Sequence, residues 1–168
     1  MFRTIEEFLM NWGHESGSTQ KILAALTDES LGQEVSTEDR TLGRIAWHIT
    51  TTLHEMMSQT GLVFDAAAPH DAPVPKTATE IAEAYSTSNV AMVAAMKDQW
   101  SDDILGEVID MYGEQWSVAT VLSILTSHQI HHRGQMTVLM RQAGLRVPGV
   151  YGPSREEWAE FGGEAPIV

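Results

Sequence analysis

The chain has 168 residues, enough for a single domain spanning 1–168. Hydrophobic residues make up 43% and charged residues 20%, a globular balance and not a disordered one. Ten Lys and Arg against 23 Asp and Glu leave a net charge of −13, which argues against nucleic-acid and anionic-membrane partners. There is no cysteine, which excludes disulfides, cysteine-ligated zinc or iron–sulfur clusters, and a protein thiol nucleophile.

The opening residues Met1 to Glu7 reach acidic side chains at once and carry no apolar core of a secretory signal. No apolar run approaches the roughly 18 residues needed to cross a bilayer. A soluble cytoplasmic protein is expected.

Helical periodicity begins at Thr4 and continues to Thr27, with Ile5, Phe8, Leu9, Trp12, Thr19, Ile22, Leu23 and Leu26 largely at three/four spacing. Thr4 and Glu7 have capping-box spacing, while Gly13 and Gly17 each weaken the helix by about 1 kcal/mol relative to alanine. A second helix is predicted over Thr41–Gln59, with Leu42, Ile45, Ile49, Leu53 and Met56 on its stripe and Gly61 as a stop. Leu62–Lys76, with Pro69, Pro73 and Pro75, reads as an irregular surface connection. Its length does not force the flanking helices to be antiparallel.

A third helix is predicted over Thr77–Trp100, opened by a Thr77/Glu80 capping box and striped by Ile81, Tyr85, Met92 and Met96. Ser101–Trp116 reads as an extended excursion or a short hairpin. The fourth helix starts on Ser117 as N-cap and ends near Ala143, with Gly144 after it. The Gly- and Pro-bearing tail holds one short helix, capped by Ser154 and Glu157 and ended by Gly162-Gly163. Four long amphipathic helices predict an all-α four-helix bundle.

The fourth helix carries the chemistry. Val118, Val121, Leu125, His128, His132, Gln135, Leu139 and Gln142 alternate three and four steps and form the predicted core-facing seam. His128 and His132, four apart, project from one face and can share an ion; His131 lies about 100° from His132. His48, in the middle of the second helix, is the candidate third ligand. His54 points elsewhere, and His14 and His70 sit in poor positions. Two such histidines also occur as an ordinary polar core pair, so the spacing alone leaves both readings open. Three neutral imidazoles suit Zn²⁺, Ni²⁺ or Cu²⁺ rather than Mg²⁺ or Ca²⁺, and three protein ligands leave a position for water or substrate.

Arg133 is placed off the seam, where an acidic neighbour or a dimer partner could meet it. Met92 with Met96, and Met136 with Met140, read as core filler. Tyr151 and Trp158 read as aromatics that dock the tail.

The string His128-Gln129-Ile130-His131-His132-Arg133-Gly134-Gln135, then Met140-Arg141-Gln142-Ala143-Gly144 and Pro148-Gly149-Val150-Tyr151-Gly152-Pro153, resembles the DinB/YfiT-like family of metalloenzymes. Leu42-Gly43-Arg44-Ile45-Ala46-Trp47-His48 resembles that family's second-helix motif. The likeness spans nearly the whole chain. It implies a bundle of up-down-down-up topology, a homodimer, and one zinc or nickel ion held by His48, His128 and His132. Some relatives are thiol-dependent transferases or isomerases, and others are called hydrolases.

The leading expectation is a metal-dependent transferase joining a low-molecular-weight thiol, supplied as cosubstrate, to a small-molecule electrophile. A metal-dependent hydrolase using bound hydroxide ranks second. A non-catalytic metal- or ligand-binding stress protein is the alternative outside enzymes. Glu55, seven residues after His48, is a weak acid–base candidate that reads more simply as a solvated charge.

Overall fold

Each expected long helix forms, slightly shorter than its periodicity suggests, and each starts on a hydroxyl that caps a backbone N–H. The computed structural model describes residues 1–69 and 71–167. His70, set aside as a ligand above, lies outside the described residues. Among them are four α-helices: α1 (Ile5–Ala24), α2 (Leu42–Ser58), α3 (Ala78–Gln99) and α4 (Val118–Gln142). Thr4, Thr41, Thr77 and Ser117 accept from the backbone N–H of Glu7, Arg44, Glu80 and Thr120. Such a cap stabilises a helix by about 1 kcal/mol. Only the Thr77/Glu80 box closes in both directions. The Glu7 carboxylate turns instead to the Arg3 backbone N–H at 2.8 Å, leaving the first box half made.

Contacts at the helix ends fix the topology. Leu42 N–H donates to the Gln33 carbonyl at 2.7 Å, and Ala78 N–H donates to Asp28 Oδ1 at 2.8 Å. Both α2 and α3 therefore start at the end where α1 finishes. At the opposite end, Gln99 brackets the Val63 backbone, Ile5 N–H donates to Asp102 Oδ1, and Val118 N–H donates to the Glu107 carbonyl. The direction is up-down-down-up. The long second connection carries the chain back, pinned by Trp47 Nε1–H to the Ala72 carbonyl (3.0 Å) and Ala67 N–H to Ser88 Oγ (3.1 Å).

Helices α1 and α2 each pack against both α3 and α4. The core holds Phe8, Trp12, Leu53, Tyr85, Met92, Met96, Met136 and Met140, all fully buried. Each large apolar side chain so buried stabilises the fold by about 1.5–3 kcal/mol. The methionines are core filler, as their spacing predicts. No helix among the described residues is long and apolar enough to cross a membrane.

The excursion before α4 is a hairpin of β1 (Val108–Met111) and β2 (Glu114–Ser117), paired from Val108↔Ser117 to Met111↔Glu114. Its tip, Tyr112-Gly113, has φ of 56° and 85°. Two successive positive φ values are what a tight two-residue hairpin requires, and glycine meets that at the second position without strain.

The tail holds its one short helix, as a 3₁₀ turn, but not the Ser154 cap expected for it. Ser154 does not cap an α-helix; its hydroxyl has no partner among the described residues, and the helix is a 3₁₀ turn over Trp158–Phe161. The Glu157 carboxylate accepts from Ser154 N–H and also from Gly149 N–H at 3.0 Å. Gly149 approaches so closely that a Cβ there would collide with the Glu157 carboxylate. The carboxylate binds a loop together and does not nucleate a helix. Gly162, at φ 74°, ends the turn as anticipated.

Candidate metal centre

The cap at Thr41 and the stripe Leu42, Ile45, Ile49 and Leu53 fix the rotation of α2, so His48 faces α4 from the edge of the core. On α4, His132 is buried and His128 half-buried beside it. The ligand nitrogens of His48, His128 and His132 lie within 4.8 Å of one another, an arrangement that could hold a metal ion. Ring centroids are separated by 4.9 Å (His48–His128), 4.8 Å (His48–His132) and 4.4 Å (His128–His132). His48 Nε2 and His128 Nε2 stand 3.0 Å apart. His131, though 4.9 Å from the His132 ring, is exposed and outside the cluster, and His54 packs on Phe64.

Burial holds the His48 imidazole down at about 3, helped by repulsion from His128, His132, Arg40 and Arg44. Burial, then His132, His131 and Arg40, holds His128 at about 4, and burial likewise lowers His132. All three are neutral at pH 7, the state in which an imidazole offers a lone pair.

The hydrogen bonding suits an ion as well. His132 Nδ1 lies 2.7 Å from Gln135 Oε1; a carbonyl oxygen accepts only, so Nδ1 carries the proton and Nε2 is left with its lone pair. Thr52 Oγ1, at 3.5 Å from His48 Nδ1, is at the limit of a hydrogen bond and donates instead to the His48 carbonyl at 2.6 Å. Among the described residues, buried His128 Nδ1 has no hydrogen-bond partner. One proton shared between His48 Nε2 and His128 Nε2 pairs those two rings but leaves the His132 Nε2 lone pair without a ring donor, so the three do not all satisfy one another. A cation accepting a lone pair from each ring removes that conflict, and the donor set fits a borderline divalent ion.

Beside the cluster a cavity of about 520 Å³ is lined by His132 and Gln135, with Ile45, Leu139 and Val138 as apolar wall and Arg40 at its rim. Gln135 is thus not a core residue as the seam implies. It is exposed, as is Gln142, and acts by holding His132. The Glu55 carboxylate accepts from Tyr112 OH at 2.7 Å and clasps the hairpin to α2.

Two functional neighbours escaped the seam. Arg133 is only 2% exposed, and it forms an ion pair with Glu15 at 2.5 Å, itself 4% exposed. Arg133 also donates to the Glu15 carbonyl, Thr19 Oγ1 and Tyr151 OH. Tyr151 OH donates to Glu15 Oε2 at 2.7 Å, so the tyrosine docks the tail. Gln129, fully buried, donates to the Ile49 carbonyl and accepts from Thr19 and Tyr85. Leu122, Thr126, Gln129, Arg133, Met136 and Met140 form a second three/four series beside the first, all buried. Helix α4 packs against α1 as well as α2, so its buried arc is wider than one seam.

The family model described as the DinB family matches residues 1–165. The chain belongs to the DinB family. It is 52% identical over 166 residues to the uncharacterized protein YrdA of Bacillus subtilis strain 168, covering 99% of each chain. A crystal structure of a DinB-like protein from Bacillus cereus ATCC 10987 is similar at 50% identity and TM-score 0.86, over 90% of this chain and 100% of that one. A DinB-like protein of Bacillus subtilis, YjoA, shares the fold at 17% identity and TM-score 0.67, over 86% of this chain and 96% of that one. The four helices with a hairpin before the last are thus the DinB-like fold, and in this chain that fold brings His48, His128 and His132 together.

Proposed function

We propose that this DinB protein binds one zinc or nickel ion through His48, His128 and His132, and that it transfers a low-molecular-weight thiol to a small-molecule electrophile. The observation that carries the reading is the convergence of three neutral imidazoles beside an open cavity. The lack of cysteine in the chain means that any thiol must come from a second small molecule.

When bound, such an ion lowers the pKa of a thiol and so supplies a thiolate near neutral pH. The protein's own part is to keep the three rings uncharged and aimed. Burial does the first. Gln135 does the second for His132 by accepting its Nδ1 proton. The apolar wall of Ile45, Val138 and Leu139 displaces water from the approach to the histidines. In the reaction, the thiol sulfur bonds to the electrophilic carbon, the leaving group departs with its electron pair, and the thiol proton passes to solvent. Glu55 has no acid–base part in this scheme, since its carboxylate is taken by Tyr112.

Elemental analysis of the purified protein tests the first half: about one zinc or nickel per chain is expected, and none in the variant with His48, His128 and His132 all changed to alanine. Equal metal content in both rejects the site. Conjugation of several small thiols to a chromogenic electrophile tests the second half. Metal-loaded protein should exceed the free thiol rate, and turnover without any thiol would assign a hydrolase instead.

A further inference from the structure

Seven arginines occur in this acidic chain. Five of them hold a carboxylate: Arg3, Arg133, Arg141, Arg146 and Arg155. Among the described residues, Arg40 and Arg44 form no ion pair. These are the two whose charge reaches the imidazoles, Arg40 acting on all three and Arg44 on His48. Arg44 lies one turn before His48 on α2, and Arg40 immediately precedes the Thr41 cap. Asp39, which shares the cavity lining with Arg40, accepts from the Ser36 hydroxyl at 2.7 Å rather than pairing with its neighbour.

With 23 acidic residues available, a guanidinium without a carboxylate partner is unusual in this chain. Two such groups beside a candidate cation site oppose the binding of a metal by like-charge repulsion. An anion entering between them and the ion relieves that repulsion on both sides. The start of α2 contributes further positive potential in the same place. The cavity combines both characters: Val35, Ile45, Val138 and Leu139 line it together with Arg40, Asp39, His132 and Gln135.

We propose that this cavity receives a small amphipathic carboxylic acid, its carboxylate held by Arg40 and its apolar body laid along Ile45, Val138 and Leu139. This deepens the reading above by giving the chemical class of its substrate, and it rests on that reading. The anion subsite is built from residues that are not metal ligands. A planar guanidinium matches a carboxylate in two-point geometry, which a surface lysine would not do.

The test is calorimetric titration of hexanoate, hexanol and hexylamine into the full chain, both metal-free and zinc-loaded. The metal-free arm removes direct coordination of the carboxylate. Hexanoate should bind metal-free protein about tenfold more tightly than hexanol, the scale of one charge-assisted hydrogen bond. Hexylamine should bind worst. Arg40→Ala should bring hexanoate down to hexanol, and Arg40→Lys should restore part of the preference. Arg40 is exposed, so these variants should fold, which circular dichroism checks. Equal binding of hexanoate and hexanol overturns the proposal, and so does a preference that survives Arg40→Ala combined with Arg44→Ala. Hexanoate preference in a protein that takes up no zinc or nickel would reject the metalloenzyme reading while leaving the subsite standing. Zinc uptake without that preference would do the reverse.

Discussion

Replacing Glu15 with alanine leaves the Arg133 guanidinium inside the bundle without its counter-charge. The Arg133 side chain is 3% exposed and that of Glu15 5%. The pair is reinforced by the Glu15 carbonyl at 2.9 Å, Thr19 Oγ1 at 3.2 Å and Tyr151 OH at 2.7 Å. Breaking a buried pair by removing one partner costs about 3–5 kcal/mol, because the remaining charge stays desolvated. Against a total stability of about 5–15 kcal/mol for a domain, that is a large fraction. Urea denaturation of metal-free protein at pH 7.5 should show the loss as a lower midpoint with unchanged slope. Changing both residues, Glu15→Leu with Arg133→Met, should cost far less, since no charge is then stranded. A loss below about 1 kcal/mol for Glu15→Ala would refute the claim that this pair is desolvated, and so would a double variant as unstable as the single one.

Gln135→Leu should weaken zinc or nickel binding roughly 10- to 100-fold, the usual cost of losing a partner that orients a ligand, with thermal stability of the metal-free protein little changed. Competition with a chromophoric chelator measures it, and wild-type affinity would remove Gln135 from the site. Tyr151→Phe deletes the hydroxyl's two bonds in the Glu15–Arg133 cluster, costing about 1–3 kcal/mol of tail docking. Limited proteolysis should then cut after Gly144 faster than in the parent. The pH dependence follows from His48 at about 3 and His128 at about 4, both below the ordinary 6.5. Below pH 6.5 the unfolded chain takes up protons that the folded chain refuses, so metal-free protein should lose stability as pH falls from about 6.5 toward 4. Urea midpoints at pH 7.5 and 5 should differ more in the parent than in the variant with His48→Gln and His128→Gln; equal differences would contradict it.

What the sequence made legible is what rests on local chemistry. Thr77 and Glu80 form their box because both partners lie within four residues. The His128/His132 pair follows from helical geometry alone, and His48 from a motif on a second helix. An acidic partner for Arg133 was foreseeable, but the burial of Arg133 and Gln129 was not, for a definite reason: an alternating three/four count traces a single line along α4, whereas this helix buries an arc shared between α1 and α2. The partner that makes Arg133 tolerable in the core is Glu15, 118 positions away. One clue was present, since Glu15 falls between Trp12 and Thr19 on the apolar stripe of α1, where a carboxylate needs a partner. The short tail helix formed, but its start was misplaced because Ser154 and Glu157 have capping spacing. Gly149 competes for the same carboxylate, and a close loop contact won over a helix start.

The two series on α4 explain each other. His128 and His132 precede Gln129 and Arg133 by one residue each, so whatever fixes the second pair fixes the first. Gln129 is tied to the α2 backbone at Ile49, the residue following His48, by a 3.0 Å bond. Arg133 is tied to α1 through Glu15 and Thr19. A rotation of α4 that moved the histidines apart would have to break a buried ion pair and a buried amide network together. Metal sites built on bundles depend on that kind of rigidity, because a ligand displaced by an ångström loses its ion. The buried polar groups therefore do for the site what an apolar core would do less well. An apolar stripe tolerates small rotations and repacking, whereas Gln129, with its hydrogen-bonding atoms engaged by α1, α2 and α3, permits only one setting.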